Sequence, residues 1–188
     1  HTNDTLDVQL ATSRDGIHFT RWHEPFVRLG PTNAFDSMMI YMGVGMLPVG
    51  DEIWMYYAGY SEGHDRGREE RYRPGVGRVR LRLDGFVSQD ALGSGGSLTT
   101  IPLRFSGNHL EVNMDGSARG WLKVEVLDEA MQPIKGFGEE KADRLFGNDV
   151  RKIVTWKGES GLSPLCGRTV RLRFLWQSVK LYAFQFTK

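Results

Sequence analysis

The chain has 188 residues, enough for one or two domains with a real core. Its 24 basic and 23 acidic side chains leave a net charge of +1, which gives no footing for a polyanion-binding role, so no nucleic-acid partner is expected. Hydrophobic residues make up 40% of it, yet no apolar run approaches the ~20 residues a spanning helix needs and no signal peptide is visible, so no membrane partner is expected either.

The periodicity is almost everywhere two, the signature of strands. Leu6, Val8 and Leu10 alternate with polar residues, and Ile17 and Phe19 follow Asp15-Gly16, a pair that tolerates the positive φ of a tight hairpin. Antiparallel strands are therefore predicted over 6–13 and 17–22. Met38 to Met46 and Ile53 to Tyr60 form a second pair, turned at Val49-Gly50-Asp51. Their apolar residues fall on both faces, which predicts sheets covered on each side.

From Gly75 the pattern changes. Val79, Leu81 and Leu83 alternate with arginines, and Asp84-Gly85 turns the chain into Phe86-Val87-Ser88. Gly93-Ser94-Gly95-Gly96-Ser97 reads as a flexible loop. Further strands are predicted at Ile101–Phe105, Leu110–Met114, Leu122–Val126, Ile153–Trp156, Val170–Trp176 and Val179–Phe186, with one helical turn around Glu139–Leu145. Short strands, Gly, Asp and Pro turns and no long helix indicate an all-β chain: paired antiparallel hairpins over 1–74, then an antiparallel β-sandwich over 75–188.

Three stretches carry a resemblance to a known family. Residues 10–22, LATSRDGIHFTRW, resemble the S-x-D-G-x-x-W/F hairpin of five-bladed β-propeller glycoside hydrolases, through Ser13, Asp15, Gly16 and Phe19. FDSMMIYMGVGMLPVGDEIWMYYAGYSEGHD resembles a later blade of that superfamily, in which a W-x-Y-Y-x-G strand points towards the central pocket. GVGRVRLRLDGFVS to KLYAFQF resembles the C-terminal sandwich of proteins related to glycoside hydrolase families 32 and 43. The resemblance implies the C-terminal part of a carbohydrate-active protein, with a glycan as partner, often of the exported kind. A propeller takes roughly 4–8 blades of four strands, and residues 1–74 supply about one. The expectation is thus an incomplete propeller, covered by a further N-terminal segment or partner chain, with the main catalytic carboxylates elsewhere and this chain alone inactive.

Glycoside hydrolysis needs two carboxyl groups across the scissile bond. The acidic candidates beside the strands are Asp36, Glu52, Glu62 and Asp65. Only Asp36, at the start of an apolar strand, is offered for a catalytic role, against the simpler reading of an aspartate bonded to nearby backbone amides. For sugar binding the candidates are Trp54, Tyr56 and Tyr60, on one strand face, with His64 and Asp65 in the loop that follows. Ser13 and His18 owe their spacing to the hairpin, and no nucleophile elbow surrounds the serine. Nothing resembles a His-Glu-x-x-His site, a phosphate-cradling loop or an EF-hand, so neither metal nor cofactor is expected. The lone Cys166 excludes an intrachain disulfide or a cysteine-based zinc site and reads as a buried thiol. Trp121, Trp156 and Trp176 read as core. Two other readings stay open: a non-catalytic carbohydrate-binding sandwich using Trp121 or Trp156 as an exposed platform, and a structural module.

Overall fold

A computed structural model describes residues 4–63 and 74–188. The chain is all-β: 55% of it is strand, and its antiparallel sheets curl, one of them into a half-barrel. Among the described residues the only helical element is a 3-10 turn at Ser163–Leu165, and no helix is long and apolar enough to cross a membrane. The chain forms two compact units, His1–Leu81 and Arg82–Lys188. The sequence places a division at 74/75, and the strand that begins at Gly75 pairs with the strand before it.

In unit 1, β1 (Val8–Ser13) and β2 (Phe19–Val27) form the hairpin predicted from Asp15-Gly16. Its turn is a side-chain clasp. Asp15 Oδ1 accepts the Ser13 hydroxyl (3.0 Å) and the amides of Ile17 (2.9 Å) and His18 (2.8 Å), while His18 Nδ1 lies 2.7 Å from Oδ2. Gly16 takes φ +73°, which a side chain rarely tolerates. Ser13 and His18 therefore serve the turn through a shared carboxylate.

The second sheet of unit 1 is built on β5 (Glu52–Tyr60). Along one edge lie β3 (Met39–Met42), paired Met39↔Tyr60 to Met42↔Tyr57, and β4 (Leu47–Val49), paired Leu47↔Trp54 to Val49↔Glu52. The Met38–Met46 strand predicted as one piece is thus interrupted. The Gly43 amide still reaches the Tyr56 carbonyl at 2.8 Å across the break. On the other edge, β6 (Gly75–Arg82) pairs with β5. Ile53 and Met55 are buried on one face of β5, whereas Tyr56, Tyr41, Leu47, Val49 and Val76 are exposed. Coverage on both faces, expected from the apolar pattern, is present on one only.

Unit 2 is organised by two long strands, β9 (His109–Leu127) and β11 (Arg171–Thr187), each predicted as two. Bulges explain the misreading. Gln177 pairs with Trp121 and Val179 with Gly116, so residues 117–120 loop out opposite Ser178, and the inward parity of β11 switches from even to odd. Beside β9 runs β10 (Asn148–Ile153), and beside β11 run β7 (Gln89–Ala91) and β8 (Gly96–Thr99). Strand β8 occupies part of the glycine-rich stretch read as a loop. The predicted strand at 101–105 is reduced to a bridge between Leu103 and Val170.

Leu110, Val112, Met114, Leu122, Val124 and Val126 of β9 meet Leu172, Phe174 and Trp176 of β11 in a fully buried core. Ala142, Leu145, Val154, Trp156 and Leu162 join it from the intervening segment. The expected turn near 139–145 is a single one, the Ala142 amide donating to the Gly138 carbonyl at 3.1 Å. Trp156 and Trp176 are core residues at 4% exposure. Trp121 instead lies half-buried, its ring under the Arg144 guanidinium at 4.7 Å. Neither Trp156 nor Trp121 is an open platform. Cys166, expected to be buried, is exposed, with Phe105 carbonyl 3.7 Å from its sulfur.

Candidate functional site

After β2 the chain turns back on itself before β3. The Ala34 amide donates to the Pro31 carbonyl (2.9 Å), with Asn33 at φ +72°, a conformation asparagine tolerates better than most residues. The Gly30 amide then closes on the Asp36 carbonyl at 3.1 Å. This folded segment and the start of the loop after β5 enclose a cleft of about 660 Å³, lined by Gly30, Thr32, Asn33, Ser37, Met38, Ser61 and Glu62.

Asp36 supports that wall from behind. It is 9% exposed, and its carboxylate accepts the Tyr57 hydroxyl at 2.6 Å. A Cβ on Gly30 or Gly59 would collide with the Asp36 side chain, and one on Gly75 or Gly77 with the rings of Phe35 and Tyr57. Glycine at these positions is what allows the segment to seat against β5 and β6. Phe35 stacks on Tyr57 with centroids 6.1 Å apart. Burial, reinforced by the hydrogen bond to Asp36 and its charge, pushes the Tyr57 phenol up to about 12. Asp36 is not among the cleft's lining residues, although Gly30 and Ser37 are.

The cleft brings together three hydroxyls, one carboxamide and one carboxylate. Such a set donates and accepts hydrogen bonds at several points with little net charge, which matches a polyhydroxylated neutral ligand. Glu62 is the only carboxylate among its described lining residues, and a hydrolytic pair takes two.

The aromatic candidates occupy a different surface. Trp54, Tyr56 and Tyr60 share the outward face of β5, as their spacing predicts, but they are not among the described lining residues of the cleft. Trp54 donates its indole N–H to Glu52 at 2.8 Å and lies under the Arg78 guanidinium at 4.0 Å, while Arg80 approaches Glu52 at 3.4 Å. Tyr60 meets Tyr41 edge-on, with centroids 5.8 Å apart. Tyr56 is 43% exposed. His64 and Asp65 lie outside the described residues. No group of three or more His, Cys, Asp or Glu side chains suited to a metal ion occurs among the described residues.

Sequence reasoning singled out Glu62 but missed Thr32, Asn33, Ser37 and Ser61. The available signal was the Gly-Pro-Thr-Asn turn, whose small polar residues bear no catalytic motif. Comparison with known protein families, with curated proteins and with solved structures finds no match for this chain.

Proposed function

We propose that this chain is the C-terminal portion of a carbohydrate-active, glycoside hydrolase-like protein. In this reading unit 1 is a distal propeller blade that supplies one polar wall of a glycan pocket, and unit 2 is an accessory sandwich. The main catalytic carboxylates belong to a further segment or a partner chain. The observation that carries the reading is the unit 1 cleft, whose described lining of hydroxyls, one amide and the Glu62 carboxylate suits sugar hydroxyls. The S-x-D-G hairpin, formed as its residues require, agrees with the resemblance. The exposed apolar side chains of β4, β5 and β6 agree with a neighbouring layer over that sheet. Trp54, Tyr56 and Tyr60 on β5, with His64 and Asp65, remain the proposed sugar contacts.

With Glu62 as the one carboxylate among the described lining residues, the cleft also suits a second reading, a non-catalytic carbohydrate-binding or structural module. Titrating the chain with neutral oligosaccharides, while following the amides of Asn33, Ser37 and Glu62 by NMR, tests both. Saturable shifts at these amides without turnover, and hydrolysis once a longer polypeptide is supplied, are expected for the hydrolase portion. Saturable shifts with no hydrolysis in any longer form select the binding module. Glycoside cleavage by the 188-residue chain alone at enzymatic rates, or no shift at the cleft with any oligosaccharide, overturns the proposal.

A further inference from the structure

Unit 2 contains a second hollow, of about 410 Å³, where the bulged centres of β9 and β11 lie beside the end of β7. It is a built feature. Ser178, in the longest run of β11, takes φ +51°, a strained setting for a residue with a side chain. The looped-out residues 117–120 close over it only because residue 120 is glycine, since a Cβ there would strike the Ser178 carbonyl. The neighbouring turn is held from three directions. The Leu92 carbonyl accepts the amides of Gly95 (2.9 Å) and Ser178 (3.3 Å). Gln177 donates to the Gly93 carbonyl at 2.6 Å and accepts the Trp121 indole N–H at 2.9 Å. So fixed, the turn holds Leu92 out at 80% exposure on the rim of the hollow.

Across the same hollow three adjacent strands present a row. Lys180 of β11 pairs in register with Asp90 of β7 and Asp115 of β9. Strand spacing sets the row at about 10 Å end to end. Among the described residues the Asp115 carboxylate has no side-chain partner, and the Lys180 ammonium is 3.7 Å from Asp90, too long for a good hydrogen bond. The hydroxyls of Ser117 and Ser178 line the same space. Acceptor, donor and acceptor in line complement vicinal hydroxyls, each of which both donates and accepts, while Leu92 offers an apolar edge to a sugar's C–H surface. Two carboxylates against one ammonium disfavour an anionic sugar.

We infer that this hollow in unit 2 is a binding site for a neutral oligosaccharide, held by Asp90, Asp115 and Lys180 with Leu92 as its apolar rim. The choice of ligand class rests on the carbohydrate reading above; the site lies in the other unit and does not use the unit 1 cleft. The test is NMR titration of the full chain with cellotriose, maltotriose, xylotriose and inulotriose, with trigalacturonate as the anionic probe. At least one neutral trisaccharide is expected to shift the amides of Gly93, Ser117, Ser178 and Lys180 saturably, and trigalacturonate to leave them in place. Asp115→Asn and Lys180→Ala are each expected to weaken that binding about five- to tenfold. Leu92→Ala, at an exposed position that leaves the fold intact, is expected to weaken it about threefold. Shifts at Asn33 and Glu62 report the cleft separately, so either site can fail without the other. No saturable shift at the four unit 2 amides with any neutral trisaccharide, or full affinity in Asp115→Asn and Lys180→Ala, overturns the inference.

Discussion

The two units solve the problem of burying a β-sheet differently. Unit 2 encloses a continuous core from Leu110 to Leu181, with Phe174, Leu122 and Leu172 fully buried. Among the described residues, unit 1 buries only Val27, Met39, Ile40, Ile53 and Met55 of its large apolar side chains, while eleven of the eighteen exposed large hydrophobics belong to it. Apolar burial at ~25 cal/mol per Å² is the dominant favourable term in folding, so unit 2 carries its own stability. Unit 1 depends more on local devices: the Asp15 clasp, the Asp36–Tyr57 hydrogen bond and the glycines that let Phe35 and Tyr57 seat. A sheet built in this way holds a wall of polar groups in place while leaving one face available for another layer or a ligand.

The strongest way to sharpen that contrast is to hollow the core. Phe174→Ala removes a ring with no exposed surface, and a loss of about 3–5 kcal/mol is expected in chemical denaturation of the full chain. A truncation on the exposed surface of unit 1, Ile17→Ala at 77% exposure, is expected within about 0.5 kcal/mol of the parent. Similar losses from the two variants would break the comparison.

A smaller effect attaches to a half-buried ion pair of unit 2, in which Arg173 keeps 31% of its side chain exposed. Glu125, 3% exposed, accepts from Arg173 at 2.8 Å and from the Glu139 amide at 3.2 Å. Arg173→Ala leaves a buried carboxylate without its cation, and a loss of about 2–3 kcal/mol is expected. Arg173→Met together with Glu125→Leu is expected to recover most of it, because an apolar pair leaves no charge to solvate.

In unit 1 the corresponding test is Gly77→Ala. The new Cβ would meet the Tyr57 ring, so the ring must move and its hydrogen bond to Asp36 lengthen. A loss of about 1–3 kcal/mol is expected. The variant should also lower the high titration point of Tyr57, read as tyrosinate absorbance against pH. Folded-state stability linked to Tyr57 is complete below the ordinary phenol value of 10.0 and is lost as pH rises towards about 12. A Tyr57 that still titrates near 12 in Gly77→Ala would show that the seat at Gly77 does not hold the ring.

These contrasts also separate what the sequence made legible from what it did not. The β1–β2 hairpin was readable because Ser13, Asp15 and Gly16 encode their turn locally, each through a hydrogen bond or a φ value. The parity of Trp54, Tyr56 and Tyr60 was readable because period two is a local property. The continuity of β9 and β11 was not, since the bulge at Ser178 exists only through pairing with residues about sixty positions away. Strand β8 was hidden for the same reason: Gly96 and Ser97 have little strand propensity, and Trp176 and Leu175 supply the ladder. The cleft escaped notice because hydroxyls and an amide become a site only when the Gly30–Asp36 closure gathers them.

The smallest effect expected is confined to the hairpin tip. Hydrogen bonds from the His18 side chain, from the His18 and Ile17 amides and from Ser13 hold the Asp15 carboxyl well below its ordinary 3.8. A depressed carboxylate contributes to the folded state above its unfolded value, and that contribution disappears as pH falls through the folded one. Because Asp15 lies on the surface, its side chain 49% exposed, global stability is not expected to register the change. The amides of Ile17 and His18 are. Only well below pH ~4, as pH falls through the depressed folded value, should their NMR shifts move together towards unstructured positions. In Asp15→Asn the acid-dependent movement should vanish, with the turn partly kept by the amide oxygen. Simultaneous acid shifts in both units would mean that the hairpin melts with the core, and the local character assigned to unit 1 would fail.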